Sequence, residues 1–543
     1  MTPEEICSRY NKLVNDRSNL DGVLEIISKF FMPLRSEFFK SNNTEQEVDW
    51  RNRDVYDSTA VESVDTLSAS MQGALTSMAV RWFELVLTDD EIKKDKDAQL
   101  WIDNATTRMW QAIQQSNFDI EASEYYIDLV GYATAIMTQE VEDEATGKFT
   151  FKAIPIDSCQ FEEDHNGRIC KFYRKLMWTP LQIVEKFGPE KTPKTIREKN
   201  EAGKMDKEEI IFCIWKRKYD VQPDVSKKLA PSARPYGFKY VCAKSKEQIG
   251  EEGGYYEMPS YVSRWRKTPG SVWGYGPAHL CLSDVLTLNE LTSDLLEAAG
   301  KAIDPSTVTT NRNLLSDLDL GRGGLTVVRN VSELVPFESR ARFDVGELKI
   351  DRLQEAIRRA FRVDQLQLKD SPAMTATESQ IRYELMQRLL GPTLGRLKND
   401  FLNLLIERTF NILFRAGQFG EMPEVLKSAN IDIVYTGPMA RSQRSQIAVS
   451  IQQWIGGIAS LAEVYPEAMD VPNPDAIVRG LAELAGVPAA MTRGDKEVKM
   501  LREERQQKQN QAEDTANAAG IAAAAKDGAS AVATLEGIRG GRG

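Results

Sequence analysis

A mostly helical α+β fold is the class this 543-residue chain predicts. Three observations carry it. Apolar residues recur at three- and four-residue steps over most of the first 130 positions and again from Pro277 onward. Between about 133 and 270, β-favouring runs are punctuated by turn signals such as Asn166-Gly167. The stretch 271–417 then reads as two helices flanking an irregular insert, a polar loop, and one long helix broken at Gly391-Pro392.

Taken in order, residues 1–140 are expected to be helical. Thr2, Pro3 and Glu5 form a helix start: a threonine cap, proline in the first turn and a carboxylate reaching back. Val61, Val64, Leu67, Met71, Leu75 and Met78 mark one apolar face, and Trp101, Ala105, Met109, Ala112 and Ile113 another. The charged run 89–97 between them is a solvated helix start. Strands follow. Ile136, Phe149 and Phe151 flank the turn 143–147, and the turn 164–167 separates 159–162 from 169–173. Asn-Gly favours a two-residue hairpin turn in which both residues take positive φ. His165 in that turn is expected to be exposed, since no second ligand lies near it in sequence. Further strands are expected at 210–218, 238–242 and 255–262, with 189–208 and 220–237 as loops.

From Pro277 the helical period returns. Leu288, Leu291 and Leu295 hold one face, and Glu290, Asp294 and Glu297 form a carboxylate stripe. Asp304-Pro305 ends this helix. Residues 303–345 have no helical period. Gly321-Arg-Gly-Gly324 lacks the Gly-Lys-Ser/Thr ending of a phosphate loop and reads as a turn before a short strand at 325–328. Asp344 and Glu347 cap a second helix, with Ile350, Leu353, Ile357 and Ala360 on one face and Arg352, Arg359 and Arg362 on another. The first helix (277–302) carries a formal charge of −3 and the second (346–362) +2. Opposite signs suit packing against each other, within or between subunits; a DNA-gripping helix is the other reading of the arginines. Residues 363–374 form a polar loop. Thr375 and Glu378 make a capping box for a third helix, interrupted at Gly391-Pro392 and resuming at Leu394, Leu397, Phe401 and Leu405 to end at Ala416-Gly417. A kinked helix of about forty residues, against the usual eleven or twelve, suggests a scaffold spoke. Residues 431–435 read as a strand, 441–510 as helical and increasingly polar, and 511–543 as a low-complexity tail rich in Ala, Gly and Gln.

Composition narrows the function. A content of 42% hydrophobic and 27% charged residues is that of a protein with real cores. There is no run of 18 apolar residues, so no membrane span is expected, and the acidic start Met1-Thr-Pro-Glu-Glu-Ile6 is not a secretory signal. Six cysteines without a Cys-x-x-Cys pair fit free thiols in a reducing compartment. Only two histidines are present, which argues against hydrolytic or zinc chemistry; neither a metal nor a cofactor is expected. A net charge of −11 argues against a tight DNA grip but allows a wall along which a duplex slides; ordinary solubility explains it equally.

One order of motifs is specific although each motif alone is weak. The motifs are Ser271-Val-Trp-Gly-Tyr-Gly-Pro-Ala-His279, Leu288-Asn-Glu-Leu291 running to Lys301-Ala-Ile-Asp-Pro305, Asp319-Leu-Gly-Arg-Gly-Gly324, and Ala373-Met-Thr-Ala-Thr-Glu378 through Gly391-Pro392. Trp82-Phe-Glu-Leu85 stands upstream and Thr436-Gly-Pro-Met-Ala-Arg-Ser-Gln-Arg444 downstream. Together, over residues 1–510, they resemble the head-to-tail connector, or portal, family of short-tailed bacteriophages.

The resemblance implies a ring of twelve copies at a unique capsid vertex, a channel for genome packaging and ejection, and no catalytic activity. It implies a wing at 1–276, stem helices at 277–302 and 346–362, and a clip at 303–345. The tunnel loop is then 363–374, the long kinked helix and its return to the wing 375–440, and the crown 441–510. Gln365, Gln367 and Lys369 would line the tunnel loop. Glu290, Asp294, Glu297, Arg352, Arg359 and Arg362 would form the stem interface, and Arg312, Arg322, Gly323 and Gly324 the clip surface that docks terminase and then tail adaptor. Implied partners are further copies of the chain, the major capsid protein and scaffold, the terminase large subunit, tail adaptor and nozzle proteins, and double-stranded DNA held weakly and without sequence preference, but no membrane. The implied location is the portal vertex of the virion, after assembly in the host cytoplasm. Two rivals stand beside this reading: another virion component, such as a tail or scaffolding protein, and a nucleotide-handling enzyme. A tail protein should be richer in strands, a scaffold nearly all helix, and the enzyme lacks a phosphate-loop lysine.

Overall fold

The structure is a computed structural model that describes residues 1–35, 55–78, 81–89, 92, 95–217, 229–303, 307–308, 329–330, 332, 335–336, 343–366, 391–428, 431–435, 438–462, 465–485, 487, 491–493 and 497–511. They form two compact units: the described parts of 1–82, 108–418 and 436–439, and those of 83–107, 419–435 and 440 onward.

In chain order the first unit starts with α1 (Pro3–Phe31), which opens on the expected reciprocal cap. Thr2 Oγ1 accepts from the Glu5 amide at 3.3 Å, and the Glu5 carboxylate accepts from the Thr2 amide at 2.9 Å. In α2 (Thr59–Leu75) the predicted face buries Val64, Leu67 and Met71. Residues 1–140 are not helical throughout. Phe83–Leu87 is a strand, β1, with Phe83, Leu85 and Leu87 buried and Glu84 and Val86 half-buried. Its period of two runs for only five residues, too short to stand out between helical patterns. α3 (Lys96–Gln115) and α4 (Phe118–Gly131) follow.

Two antiparallel sheets form the β-rich part of this unit. One has the order β3-β2-β9, from β2 (Thr134–Asp143), β3 (Lys148–Ile154) and β9 (Ser260–Arg264). The other runs β4 (Cys159–Glu163), β5 (Ile169–Trp178), β6 (Glu208–Lys216), β7 (Tyr236–Cys242) and β8 (Gln248–Tyr255) in sequence order. Alternation along β6 divides the core. Ile211 and Cys213 pack with Ile6, Cys7 and Tyr10 of α1, while Phe212 and Ile214 pack with Ile136, Ile154 and Val262 of the smaller sheet.

Several expectations change here. The run 255–262 is two strand ends in different sheets, because Tyr256–Pro259 turns the chain between β8 and β9. Residues 189–208 include α6 (Lys194–Glu201), a polar helix that buries only Ile196 and so has no apolar period; α5 (Pro180–Phe187), with its Thr179–Gln182 capping box, precedes it. In the β4–β5 turn only Gly167 has positive φ, at 76°; Asn166 does not. Asp164 Oδ1 accepts from the amides of Asn166 and Arg168, both at 2.9 Å, so a type I turn ending in a left-handed glycine replaces the two-residue turn. His165 is exposed, as expected.

The first predicted long helix is broken at Cys281 into α7 (Pro277–Leu280) and α8 (Leu282–Ile303). A two-strand pair, β10 (Thr307–Val308) with β11 (Val335–Pro336), is the described β-structure of the insert. α9 (Phe343–Ala360) starts earlier than expected, so Asp344 lies in its first turn rather than at its cap. Residues 363–366 are helical, α10 (Val363–Leu366), not loop, and Val363 is buried. The residues before Gly391 lie outside the described set, and with them the capping box at 375–378 and the test of the kink. From there α11 (391–397), a π-helical turn (Lys398–Leu402) and α12 (Asn403–Arg415) run without interruption to Gly417 at φ 69°.

In the second unit β1 pairs antiparallel with β12 (Ile431–Tyr435), Phe83 opposite Tyr435 and Leu87 opposite Ile431. The Leu85 amide donates to Thr106 Oγ1 at 3.3 Å, and Trp101 meets Phe419 edge-on with centroids 5.8 Å apart. Its further α-helices are α13 (Pro438–Ala462), whose first two residues belong to the first unit, α14 (Pro474–Leu484) and α15 (497–511), with Arg502 bidentate on Asp475.

Candidate functional site

The site the sequence points to is the helix pair α8–α9 with its insert and the segment after it. Apolar side chains hold the pair. Val285, Leu288, Ile357, Phe361 and Val363 are buried, and the Phe361 ring lies 5.9 Å from that of Phe31 in α1. Gly346 has no side chain where Leu295 rests; a Cβ there would come within 2.5 Å of Leu295 Cδ1. Two hydrogen bonds pin both helices to the segment before α2. Gln354 Nε2 donates to Asp57 Oδ2 at 2.7 Å, and the Tyr56 amide donates to Asn289 Oδ1 at 2.8 Å.

The predicted stem charges stand elsewhere. Glu290, Asp294 and Glu297 on α8 are exposed, as are Arg352 and Arg359 on α9; Arg359 pairs with Glu355 one turn back at 3.2 Å. Arg362 differs. It is half-buried, takes φ 59°, and its Nη1 is buried without a hydrogen-bond partner. Burial, and then the nearby Arg266, lowers its pKa. Gln365 lies on α10; Gln367, Lys369, Arg312, Arg322, Gly323 and Gly324 lie outside the described residues.

The motif 271–279 leads into this pair, and its composition has a local cause. Ala133, at φ 58°, begins the turn into β2, and its carbonyl accepts from the Trp265 amide at 2.8 Å. Gly274 and Gly276 lie against this residue. A Cβ on Gly274 would run into the Ala133 carbonyl oxygen, and one on Gly276 would come within 2.7 Å of the Ala133 Cβ. Trp273 sits between Phe161, at 4.4 Å between centroids, and the Arg17 guanidinium, at 4.9 Å. Arg17 is itself buried and donates to the carbonyls of Ile156, Cys159 and Asp157. His279 stacks obliquely on Tyr275 at 5.2 Å, and burial pushes its pKa down to about 4.

Sequence reasoning missed the buried charges that moor the long helix. Arg408, 3% exposed, donates to the Glu257 carbonyl at 2.9 Å, to the Glu257 carboxylate at 3.3 Å and to the Gln139 carbonyl at 3.2 Å. Gln139 donates to Thr409 Oγ1 at 3.1 Å and accepts from the Tyr261 hydroxyl at 2.6 Å. One helical segment earlier, Arg264 of β9 meets both Glu163 and Asp400, and Lys267 joins on Glu163. The signal was present: Arg408 and Arg415 fall beside the apolar stripe Phe401, Leu405, Ile412, where a charge must find a buried partner. A cavity of about 290 Å³ beside this mooring is lined by Glu140, Tyr255, Tyr256, Arg234, Arg408 and Arg415. Its arginines already engage the chain's own carboxylates: Arg234 pairs with Glu144 and the other two with Glu257. Among the described residues no group of three or more His, Cys, Asp or Glu could hold a metal ion, and no helix is long and apolar enough to cross a membrane.

A moored long helix, a pinned helix pair and an insert between its members make a scaffold, and comparison with known proteins agrees. A family model described as bacteriophage head to tail connecting protein matches residues 3–492, and the chain belongs to that family. It is similar to a probable portal protein of Bordetella phage BPP-1, 24% identical over 520 residues that cover 94% of this chain and 92% of the relative. It is also similar to the portal protein of Salmonella phage epsilon15, 25% identical over 515 residues, 92% and 91% of the two chains.

Proposed function

We propose that this chain is a structural portal: copies assemble head to tail into a ring, twelve in number, at one vertex of a phage capsid. Genomic DNA passes through the ring's centre during packaging and ejection. The observation that carries this reading is the α8–α9 pair. Apolar contacts join the two helices within a protomer, so the acidic stripe of Glu290 and Asp294 and the basic residues Arg352 and Arg359 are left exposed. A cyclic ring needs two different, complementary surfaces on each copy, and these charges supply such a pair.

On this reading the wing, stem, clip and crown follow the boundaries given above, and the tunnel segment opens with the helical turn α10. The insert 303–345, with Arg312, Arg322, Gly323 and Gly324, meets terminase and then the tail adaptor. The segment 363–374, with Gln365, Gln367 and Lys369, guides DNA without gripping it, because Asp364 and Asp370 flank those residues. The chain performs no catalysis, and a separate motor supplies the energy. Native mass spectrometry and negative-stain imaging test the proposal. Rings with a central hole are expected; a stable 61.1 kDa monomer at micromolar concentration in every salt would refute it. Deleting 365–370 should leave rings intact and impair packaging or retention of DNA. ATP hydrolysis that follows the purified chain and is lost on a point substitution would overturn the non-catalytic role.

A further inference from the structure

Arg362 carries three costs at once. It takes φ 59°, a left-handed conformation that glycine adopts freely and a residue with a side chain does not. Its side chain is half-buried, and Nη1 is buried without a hydrogen-bond partner. The neighbouring charge that acts on it is another cation, Arg266. Among the described residues neither arginine forms an ion pair, whereas Arg9, Arg17, Arg35, Arg217, Arg234 and Arg408 of the same unit each meet a carboxylate.

The core fixes the backbone under both residues. Phe361 and Val363, on either side of Arg362, are buried, and the Phe361 ring packs on that of Phe31. Arg266 follows the moored Arg264 and the buried Trp265, and its carbonyl accepts from the Tyr275 amide at 2.8 Å. Two like charges held near each other repel, and an anion bound to both reverses the sign of that interaction. Guanidinium forks suit oxyanions. A carboxylate offers two coplanar oxygens to one fork, as Glu257 does for Arg415; a tetrahedral group has oxygens for two. The carbonyl end of α9 opposes an anion, but Arg358 and Arg359 in its last turn offset that partial charge.

We infer that Arg266 and Arg362 together form a seat for one phosphate-type oxyanion, where the chain leaves β9 and where α9 gives way to the segment 363–374. The ligand is a free phosphate ion or a phosphodiester of a nucleic-acid backbone, since both present the same oxygens. A bound phosphate gives the buried Nη1 an acceptor and both cations a counter-charge, which accounts for an arginine at a backbone position that suits glycine. The seat belongs to the folded chain and does not rest on the ring reading above.

Titrating inorganic phosphate into the full chain, against chloride at matched ionic strength, tests it by thermal melting and calorimetry. The parent should bind phosphate and melt higher, and Arg266→Gln and Arg362→Gly should each weaken that binding at least about tenfold. Lys194→Gln, which removes an exposed cation elsewhere, should bind as the parent does. Glycine at 362 fits the left-handed backbone and removes the buried donor, so in phosphate-free buffer this variant should melt no lower than the parent. A clearly lower melting temperature there would make Arg362 a structural cap and overturn the seat. So would a parent that responds to phosphate no more than to chloride, or either variant responding as strongly as the parent. A short fluorescent DNA duplex, read by anisotropy, separates the two sources. If Arg362→Gly weakens duplex and phosphate alike, the ligand is a phosphodiester; if it weakens phosphate alone, the ligand is the free ion; both results support the seat.

Discussion

Arg415 lies bidentate on Glu257, its two terminal nitrogens 2.7 and 3.1 Å from the two carboxylate oxygens. Arg408, two turns earlier on the same helix, uses the same carboxylate from the buried side. One acidic residue in the turn between β8 and β9 thus holds two arginines of α12. Removing it strands a buried cation, a loss that typically costs about 3–5 kcal/mol. Glu257→Gln should therefore lower the thermal midpoint sharply, read by calorimetry or circular dichroism. The exposed ion pair Lys194–Glu198 serves as control, and Glu198→Gln should change stability by no more than about 1 kcal/mol.

Gly274 predicts a second sharp loss. Alanine there collides with the Ala133 carbonyl, a backbone atom fixed by its bond from the Trp265 amide. Gly274→Ala should give poorly soluble protein, whereas Gly270→Ala, where the left-handed φ of 84° is the only obstacle, should cost about 1 kcal/mol. Equal expression and melting of the two variants would contradict this account.

His279 sets a pH dependence whose direction is fixed. Its folded pKa is lowered to about 4 from 6.5, so the unfolded chain takes the proton first. Stability from this residue is complete above about pH 6.5 and is lost as pH falls toward 4. Discounted for partial exposure, the loss is about 1–2 kcal/mol. Asp128 works oppositely: burial raises its carboxyl to about 7 against the pull of Arg35, so its contribution weakens as pH rises from about 4 to 7. Comparing His279→Phe with the parent protein at each pH cancels the aspartate. The variant's melting temperature should fall less than the parent's between pH 6.5 and 4.5.

The stem charges make a prediction by reversal. Glu290→Lys with Asp294→Lys should weaken ring formation in native mass spectra, more so at low salt, without changing the melting of the monomer. Adding Arg352→Glu and Arg359→Glu should restore rings. Failure of the fourfold variant to recover would remove these residues from the interface.

Much of the fold could be read from periodicity. The cap at Thr2, the faces of α2 and α3, the β2–β3 and β4–β5 hairpins and the strand at Ile431 all follow from local pattern, because each is a choice the chain makes within a few residues. What escaped was decided at a distance. β1 is a strand because a segment more than three hundred positions later pairs with it, Phe83 with Tyr435 in register; no local period of five residues announces that. α6 hides because its side chains are nearly all solvated. The buried arginines escaped because their carboxylates sit on other elements. Of the candidate site, the exposed charges on α8 and α9 were readable from spacing, whereas the half-burial of Arg362, which takes a left-handed φ just past the end of α9, was not.

The pairing of β1 with β12 also sets a schedule. Residues 83–87 leave the ribosome more than three hundred positions before their partner strand exists. At roughly 5–20 residues per second, that is about 15–70 s of waiting. During this interval the apolar edge Phe83, Leu85, Leu87 has no mate. A nascent or truncated chain ending before Ile431 therefore lacks a finished second unit.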